Sequence, residues 1–233
     1  MAMDPLSDAK IIESWHRNAL PWTNIVREGK IESRRLSTDQ AIVNAILSCS
    51  PQTVLDIGCG EGWLVRELAA KNIRATGIDV VPALITQAKQ EGGGDFHVVS
   101  YEEIAAGQFR ACVDVVVCNF SLLGKASVEE VFRAAPLLQN TGGSFIVQTL
   151  HPVTACGDYP YRDGWREGSW EGFGANFTDP APWYFRTLES WTKLILENGF
   201  SLLEMREPIH PNTKKPISVI FIAKRLGLDD GNE

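Results

Sequence analysis

The chain has 233 residues, 44% hydrophobic and 22% charged, with a formal net charge of −7, which suits one large domain with a buried core and excludes disorder as the default. The acidic balance, with a pI near 5.2, argues against a wide basic face for nucleic acid. No apolar run approaches the roughly 20 residues that span a bilayer, and the stretch Met1 to Lys10 lacks a basic segment followed by an apolar one, so the expectation is a cytoplasmic protein with no membrane partner.

In chain order, Asp8–Trp15 and Thr38–Leu47 read as amphipathic helices, with Ser37 or Thr38 as N-cap of the second. From Val54 to Leu150, short β-branched runs alternate with helical patterns, as in a parallel sheet covered on both faces. Strands are expected at Thr53–Ile57, Ala75–Asp79, Phe96–Ser100, Val113–Asn119 and Ser144–Thr149, and helices at Trp63–Lys71, Pro82–Glu91 and Val128–Gln139. Pro82 suits a first helical turn, and Gly92, Gly93 and Gly94 stop that helix. Gly157 to Pro182 mixes glycine, proline and aromatics, which favours an irregular excursion placed as a lid. Pattern returns with a helix at Arg186–Asn198, stopped by Gly199, and strands at Ser201–Arg206 and Ser218–Lys224 that would pair antiparallel at one sheet edge.

The expected fold is therefore α/β: a doubly wound, mostly parallel seven-stranded sheet with an antiparallel edge strand, N-terminal helices and an aromatic-rich lid insertion. One domain covers 1–233, with a helical cap at 1–48, a ligand-binding core at 49–150, the insertion at 151–185 and the closing helix and strands at 186–225. The five cysteines, Cys49, Cys59, Cys112, Cys118 and Cys156, show no paired CxxC spacing, so neither a disulfide framework nor a metal site is expected.

Val54-Leu55-Asp56-Ile57-Gly58-Cys59-Gly60-Glu61-Gly62 places a buried-type strand directly before a tight turn and the start of a helix. Gly58 and Gly60 let the backbone turn sharply and approach a ligand, while Gly62 lets the helix pack on the strand. Trp63 stands where a dinucleotide fingerprint of the form GxGxxG needs its last glycine, and Asp56 favours an ammonium over a pyrophosphate. Asp79 closes the second strand nineteen positions after Gly60. This is about the spacing at which an acidic residue reads both ribose hydroxyls beside the first turn, and the alternative for Asp79 is a helix N-cap.

With these residues the sequence resembles the class I, Rossmann-like family of S-adenosylmethionine-dependent methyltransferases. The resemblance covers residues 37–150 and, more loosely, Arg186–Arg225. It implies that S-adenosyl-L-methionine is the cofactor, with its methionine part over Asp56, Gly58, Cys59 and Gly60, its ribose on Asp79 and its adenine against Val80. It further implies adenine contacts from Ser100 and Tyr101, although the acidic residue often found there is displaced to Glu102 or Glu103. Asn119 and Phe120, at the end of Asp114-Val115-Val116-Val117-Cys118-Asn119-Phe120, would meet the amino end of the cofactor. The two prolines that follow this position in enzymes methylating DNA or protein glutamine are missing, which points to a small-molecule acceptor methylated on oxygen or nitrogen.

On the acceptor side, His151 ends the strand Ser144–Leu150, and an imidazole with an ordinary pKa near 6.5 suits proton removal there; a hydrogen-bonded structural histidine is the alternative. Tyr161, Arg162, Trp165, Trp183 and Arg186 are candidate acceptor contacts, the rings as pocket walls and the guanidinium groups for a carboxylate. The head segments Trp15 to Trp22 and Glu32 to Arg35 either close the pocket from the other side or cap the sheet without touching ligand. Two rival readings share the glycine turn: a nicotinamide-dependent oxidoreductase, against which Asp56 and Trp63 speak, and a non-catalytic partner subunit that binds S-adenosylmethionine.

Overall fold

Thr53–Ile57 (β1) begins the core, and its side chains separate by parity as a strand buried on both faces requires. Leu55 and Ile57 face one hydrophobic cluster and Val54 the other. The computed structural model describes residues 4–226; the remaining ends of the expected domain, residues 1–3 and 227–233, lie outside the described residues. The later strands are Arg74–Asp79 (β2), Asp95–Val98 (β3), Val113–Asn119 (β4) and Gln139–Leu150 (β5). Two short strands follow, Gly164–Arg166 (β6) and Trp183–Phe185 (β7), then Phe200–Arg206 (β8) and Ser218–Arg225 (β9).

Seven of these form one sheet in the order β3-β2-β1-β4-β5-β9-β8. The first five are parallel, and β9 runs antiparallel between β5 and β8, so an antiparallel pair closes that edge. Order reverses between β1 and β4, and their carboxyl ends diverge into the crevice where such sheets hold ligands. The helices are Asp8–Arg27 (α1), Asp39–Ser48 (α2), Trp63–Ala69 (α3), Pro82–Glu91 (α4), Tyr101–Ala105 (α5), Ala126–Ala134 (α6), Pro152–Ala155 (α7) and Leu188–Glu197 (α8). Residues of α2, α3 and α4 bury against one sheet face and residues of α5, α6 and α8 against the other.

Several elements differ from the sequence expectation for identifiable reasons. α1 runs on from Trp15 to Arg27 with Pro21 inside it, because Ala19 continues an apolar face that packs on Val81 and Leu84, with Trp15 and Trp22 against them. That tertiary packing outweighs the lost hydrogen bond at proline. Neither Ser37 nor Thr38 caps α2: Arg34–Thr38 is a π-helical turn running directly into it, and Thr38 makes no capping bond. α6 stops at Ala134, ahead of Pro136 in the 3-10 turn Ala135–Leu138, so β5 starts at Gln139 rather than Ser144. α5 was unanticipated although its signal was present: Ser100 accepts from the Glu103 N–H over 3.1 Å while the Glu103 carboxylate accepts from the Ser100 N–H over 2.7 Å, a reciprocal capping box. The insertion is not wholly irregular either, since β6 and β7 pair antiparallel, Trp165 opposite Tyr184.

Candidate functional site

The turn after β1 is built around glycine. Gly58 has φ +75°, and a Cβ there would lie 2.3 Å from that of Ser121. Ser121 follows β4 and donates its hydroxyl to the Ile57 carbonyl over 2.6 Å, so the ends of β1 and β4 meet where only glycine fits. The N–H groups of Gly58 and Cys59 both donate to the Ile78 carbonyl, at 2.8 and 3.0 Å, which binds the turn to β2. Asp79 completes the knot, accepting from Gly60 N–H on Oδ2 and from Val81 N–H on Oδ1, each over 2.9 Å. Asp79 is not the N-cap of α4, which is Val81 without a side-chain capping bond; a carboxylate has about four acceptor sites, so both Asp79 oxygens retain capacity for a ligand.

Two carboxyl groups are buried at this knot. Asp56 is 2% exposed and its Oδ1 has no hydrogen-bond partner. Burial pushes its pKa up to about 8, the charge of Asp79 adds to that, and Arg34 opposes it. Burial also raises Asp79, against the lowering effect of the Val81 and Gly60 N–H groups. A buried carboxyl with an unpartnered oxygen and a turn with glycine at positions 58 and 60 suit a ligand carrying a cationic amino group and a sugar diol.

An open cleft of about 700 Å³ lies over these strand ends. Gly58, Cys59, Gly60, Asp79, Val80 and Tyr101 line it on the β1, β2 and β3 side, and Asn119 and Phe120 on the β4 side. Tyr101 donates its hydroxyl to the Ser121 carbonyl over 3.1 Å. Phe120 holds φ +53° with its N–H on the Gln148 carbonyl at 2.8 Å, an uncommon conformation for a bulky residue. Asp56 lies below the turn, outside the cleft lining, and Ser100 serves as the cap of α5.

The acceptor-side candidates scatter. Trp183 lines the cleft. His151 does not: it is 3% exposed, with Nε2 2.7 Å from Glu207 Oε1, while its neighbours Leu150 and Thr154 face the opening. Arg186 is buried, donates to the Gly124 and Lys125 carbonyls at 2.8 and 2.9 Å, and lies over the Tyr184 and Trp191 rings. The Tyr161 hydroxyl accepts from the Leu188 N–H, Trp165 packs edge-on against Tyr184, and Arg162 is exposed. Tyr161 ties the insertion to the start of α8 and Arg186 ties its end to the Gly124 and Lys125 carbonyls, and none of these four lines the cleft.

The head segments do reach the cleft, through Trp15, Trp22, Ser33 and Arg34, and Asp8 at the start of α1 joins them. α1 lies over the strand ends, tied at one end by Asp8 Oδ1, which accepts from Lys125 N–H at 2.9 Å and from Ser127, and at the other by Arg27, 3.3 Å from Glu61. The seven-residue spacing of Trp15 and Trp22, two helical turns, was the available sign that they share a face. Along its flank Asn18 grips the insertion: its side chain donates to the Thr178 carbonyl over 2.7 Å and accepts from the Thr178 N–H over 2.9 Å. Lys10 adds an ion pair to Asp179 at 2.7 Å. Trp170 and Phe173 are thereby held against Trp15 and Trp22. Among the described residues, no helix is long and apolar enough to cross a membrane.

Residues 54–143 match a family model described as a methyltransferase domain. A ubiquinone biosynthesis O-methyltransferase of Xanthomonas oryzae is 32% identical over 119 residues, which cover 49% of each protein; the chain thus spans about half the length of that curated relative. Magnesium protoporphyrin IX methyltransferase from Synechocystis, solved with bound S-adenosylhomocysteine, shares the fold at a TM-score of 0.67 and 18% identity, with 94% of this chain and 100% of that one covered. The 1,6-didemethyltoxoflavin-N1-methyltransferase of Burkholderia thailandensis gives 0.66 at 14%, covering 97% and 92%. Residues 54–143 are thus similar to a methyltransferase domain, and the chain shares its Rossmann-like fold with solved S-adenosylmethionine-dependent methyltransferases.

Proposed function

We propose that the protein binds S-adenosyl-L-methionine across the ends of β1 and β2 and transfers its methyl group to an oxygen or nitrogen of a small molecule. The observation that carries this reading is the Asp79 carboxylate, hydrogen-bonded to the Gly60 turn and facing a cleft. In this reading Asp79 accepts the ribose hydroxyls, the Gly58 to Gly60 backbone and Asn119 border the amino acid end, Asp56 supplies negative charge beneath it, and Val80 and Tyr101 flank the adenine. The relatives' names, one an O-methyltransferase and another an N1-methyltransferase, support both acceptor atoms equally.

The bound cofactor supplies an already activated methyl group on a sulfonium. What remains for the chain is alignment and exclusion of water, which α1 and the insertion serve by covering the strand ends. Alignment is worth about 7 to 11 kcal/mol, more than the factor of about 10² to 10⁴ from a general base. His151, buried behind Leu150 with Glu207 on its ring, acts here as a positioning residue for the end of β5. Calorimetry tests the reading: S-adenosylhomocysteine binds, NADH does not, and at roughly a hundredfold excess over Kd the ligand stabilises the fold by about 2.7 kcal/mol. Absence of heat with both methyl donor and demethylated product sinks it, binding of NADH alone favours the oxidoreductase, and binding without turnover on any acceptor favours a non-catalytic subunit.

A further inference from the structure

The two halves of the cleft differ in chemistry. Over β1 and β2 lie the polar turn and the paired carboxyls; over β4 and β5 the lining is Phe120, Leu123, Leu150, Trp183 and Ile217, with Ile12 from α1. An aromatic roof drawn from two separate segments covers the β2 side, where Trp15 packs with Val80, Val81 and Leu84 and lies 5.7 Å from Trp170 between ring centroids.

Among the described residues, the β4 and β5 half offers no cation to a ligand. Arg34 is the basic residue in the cleft lining among the described residues, and it belongs to the other half, over the Trp63 ring at 4.7 Å and paired with Asp39 at 2.9 Å. Asp8, the acidic group at the β4 end, accepts on Oδ1 from the Lys125 and Ser127 N–H groups at the start of α6, and its carboxylate adds to the repulsion of an anion. Arg186, the nearest guanidinium behind the wall, spends its donors on the Gly124 and Lys125 carbonyls. An anionic acceptor in this half would lose its hydration and face no cation. An uncharged ring would lose only apolar surface to water and gain face and edge contacts with the Phe120 and Trp183 rings.

We propose that the acceptor is an uncharged, flat, conjugated ring system, held against the Phe120–Leu123–Trp183 wall. The identification of this ligand as the methyl acceptor rests on the methyl-transfer reading; the binding preference itself does not. It departs from the carboxylate-bearing acceptor that Arg162 and Arg186 suggested in the sequence, because neither guanidinium reaches the cleft lining.

Three probes of similar size separate the alternatives by calorimetry, with S-adenosylhomocysteine titrated in parallel: 2-naphthol, flat and neutral; 6-hydroxy-2-naphthoate, flat and anionic; and decahydro-2-naphthol, neutral and puckered. The expected result is 2-naphthol binding at least roughly tenfold tighter than either other probe. Leu123→Lys should shift the preference toward 6-hydroxy-2-naphthoate by placing a cation in the wall, and Trp183→Ala should weaken 2-naphthol by about tenfold with S-adenosylhomocysteine affinity unchanged. No heat from 2-naphthol, or equal or tighter binding of the anionic or puckered probe, overturns the proposal whatever S-adenosylhomocysteine does. The heat of S-adenosylhomocysteine judges the methyl-donor reading separately, so the two can fail independently.

Discussion

The backbone N–H of Gly60 donates to Oδ2 of Asp79 over 2.9 Å, joining positions nineteen apart in the chain. The bond locks the glycine turn to the end of β2, so the carboxylate shapes the cleft as well as facing it.

Asp79→Asn removes the charge and one of the two acceptors while keeping the shape. Hydrogen bonds to a charged group are worth about 1.5–3 kcal/mol, so S-adenosylhomocysteine affinity measured by calorimetry should fall roughly 10- to 100-fold. Asp79→Ala should lose at least as much and also unfold at lower urea concentration, since the Gly60 and Val81 N–H groups lose their partner. Unchanged affinity in both variants removes Asp79 from the binding site.

Asp56 makes stability depend on pH. Its pKa is held at about 8 in the folded chain by burial and by the charge of Asp79, against about 3.9 in the unfolded one. Between those values the folded state keeps a proton that the unfolded state has lost, so this contribution is full below pH about 4, falls as pH rises, and is gone above about 8. Urea midpoints of the ligand-free protein should therefore decline from pH 5 to 8, and Asp56→Asn should flatten that decline and stabilise the protein at pH 8 by about 1–3 kcal/mol. A cationic amino group bound nearby favours the carboxylate, so binding of S-adenosylhomocysteine should release a proton at pH 7 and strengthen toward pH 8. Identical pH slopes in wild type and Asp56→Asn would show that another group titrates.

Phe120 occupies the left-handed region with φ +53°, which costs a residue with a Cβ about 1–2 kcal/mol. Phe120→Ala keeps that strain and loses the ring; Phe120→Gly loses the ring but relieves the strain. The glycine variant should be the more stable of the two by about 1 kcal/mol, the reverse of the usual order in which glycine is the worse. Both should lose turnover. Chemical denaturation showing alanine more stable than glycine contradicts the assigned backbone conformation.

Asn18 imitates a neighbouring strand toward Thr178, pairing with both its N–H and its carbonyl. Asn18→Ala removes both bonds to Thr178 in a partly buried contact, a cost of about 0.5–1.5 kcal/mol per bond. Hydrogen exchange should accelerate at Thr178 and its neighbours while the amides of β1 and β4 remain slow. Exchange that rises uniformly across the sheet, or at neither place, excludes the clip.

The central strands, the glycine turn and Asp79 could be placed from the sequence alone because their determinants are local. A strand buried on both faces writes itself as a continuous apolar run, a turn with positive φ demands glycine at fixed positions, and the acidic residue closing the second strand follows at a set distance. β1, β4 and α4 accordingly have the bounds that the sequence implied. The walls of the cleft depended instead on contacts between distant positions, such as Asp8 with Ser127, Asn18 with Thr178 and β6 with β7. Nothing in the immediate neighbourhood of Arg186 tells whether its guanidinium meets a ligand or two backbone carbonyls, and nothing beside His151 announces Glu207. Such side chains acquire their partners only when the chain is packed, because a polar group entering the interior must take whatever hydrogen-bonding partner the fold brings to it.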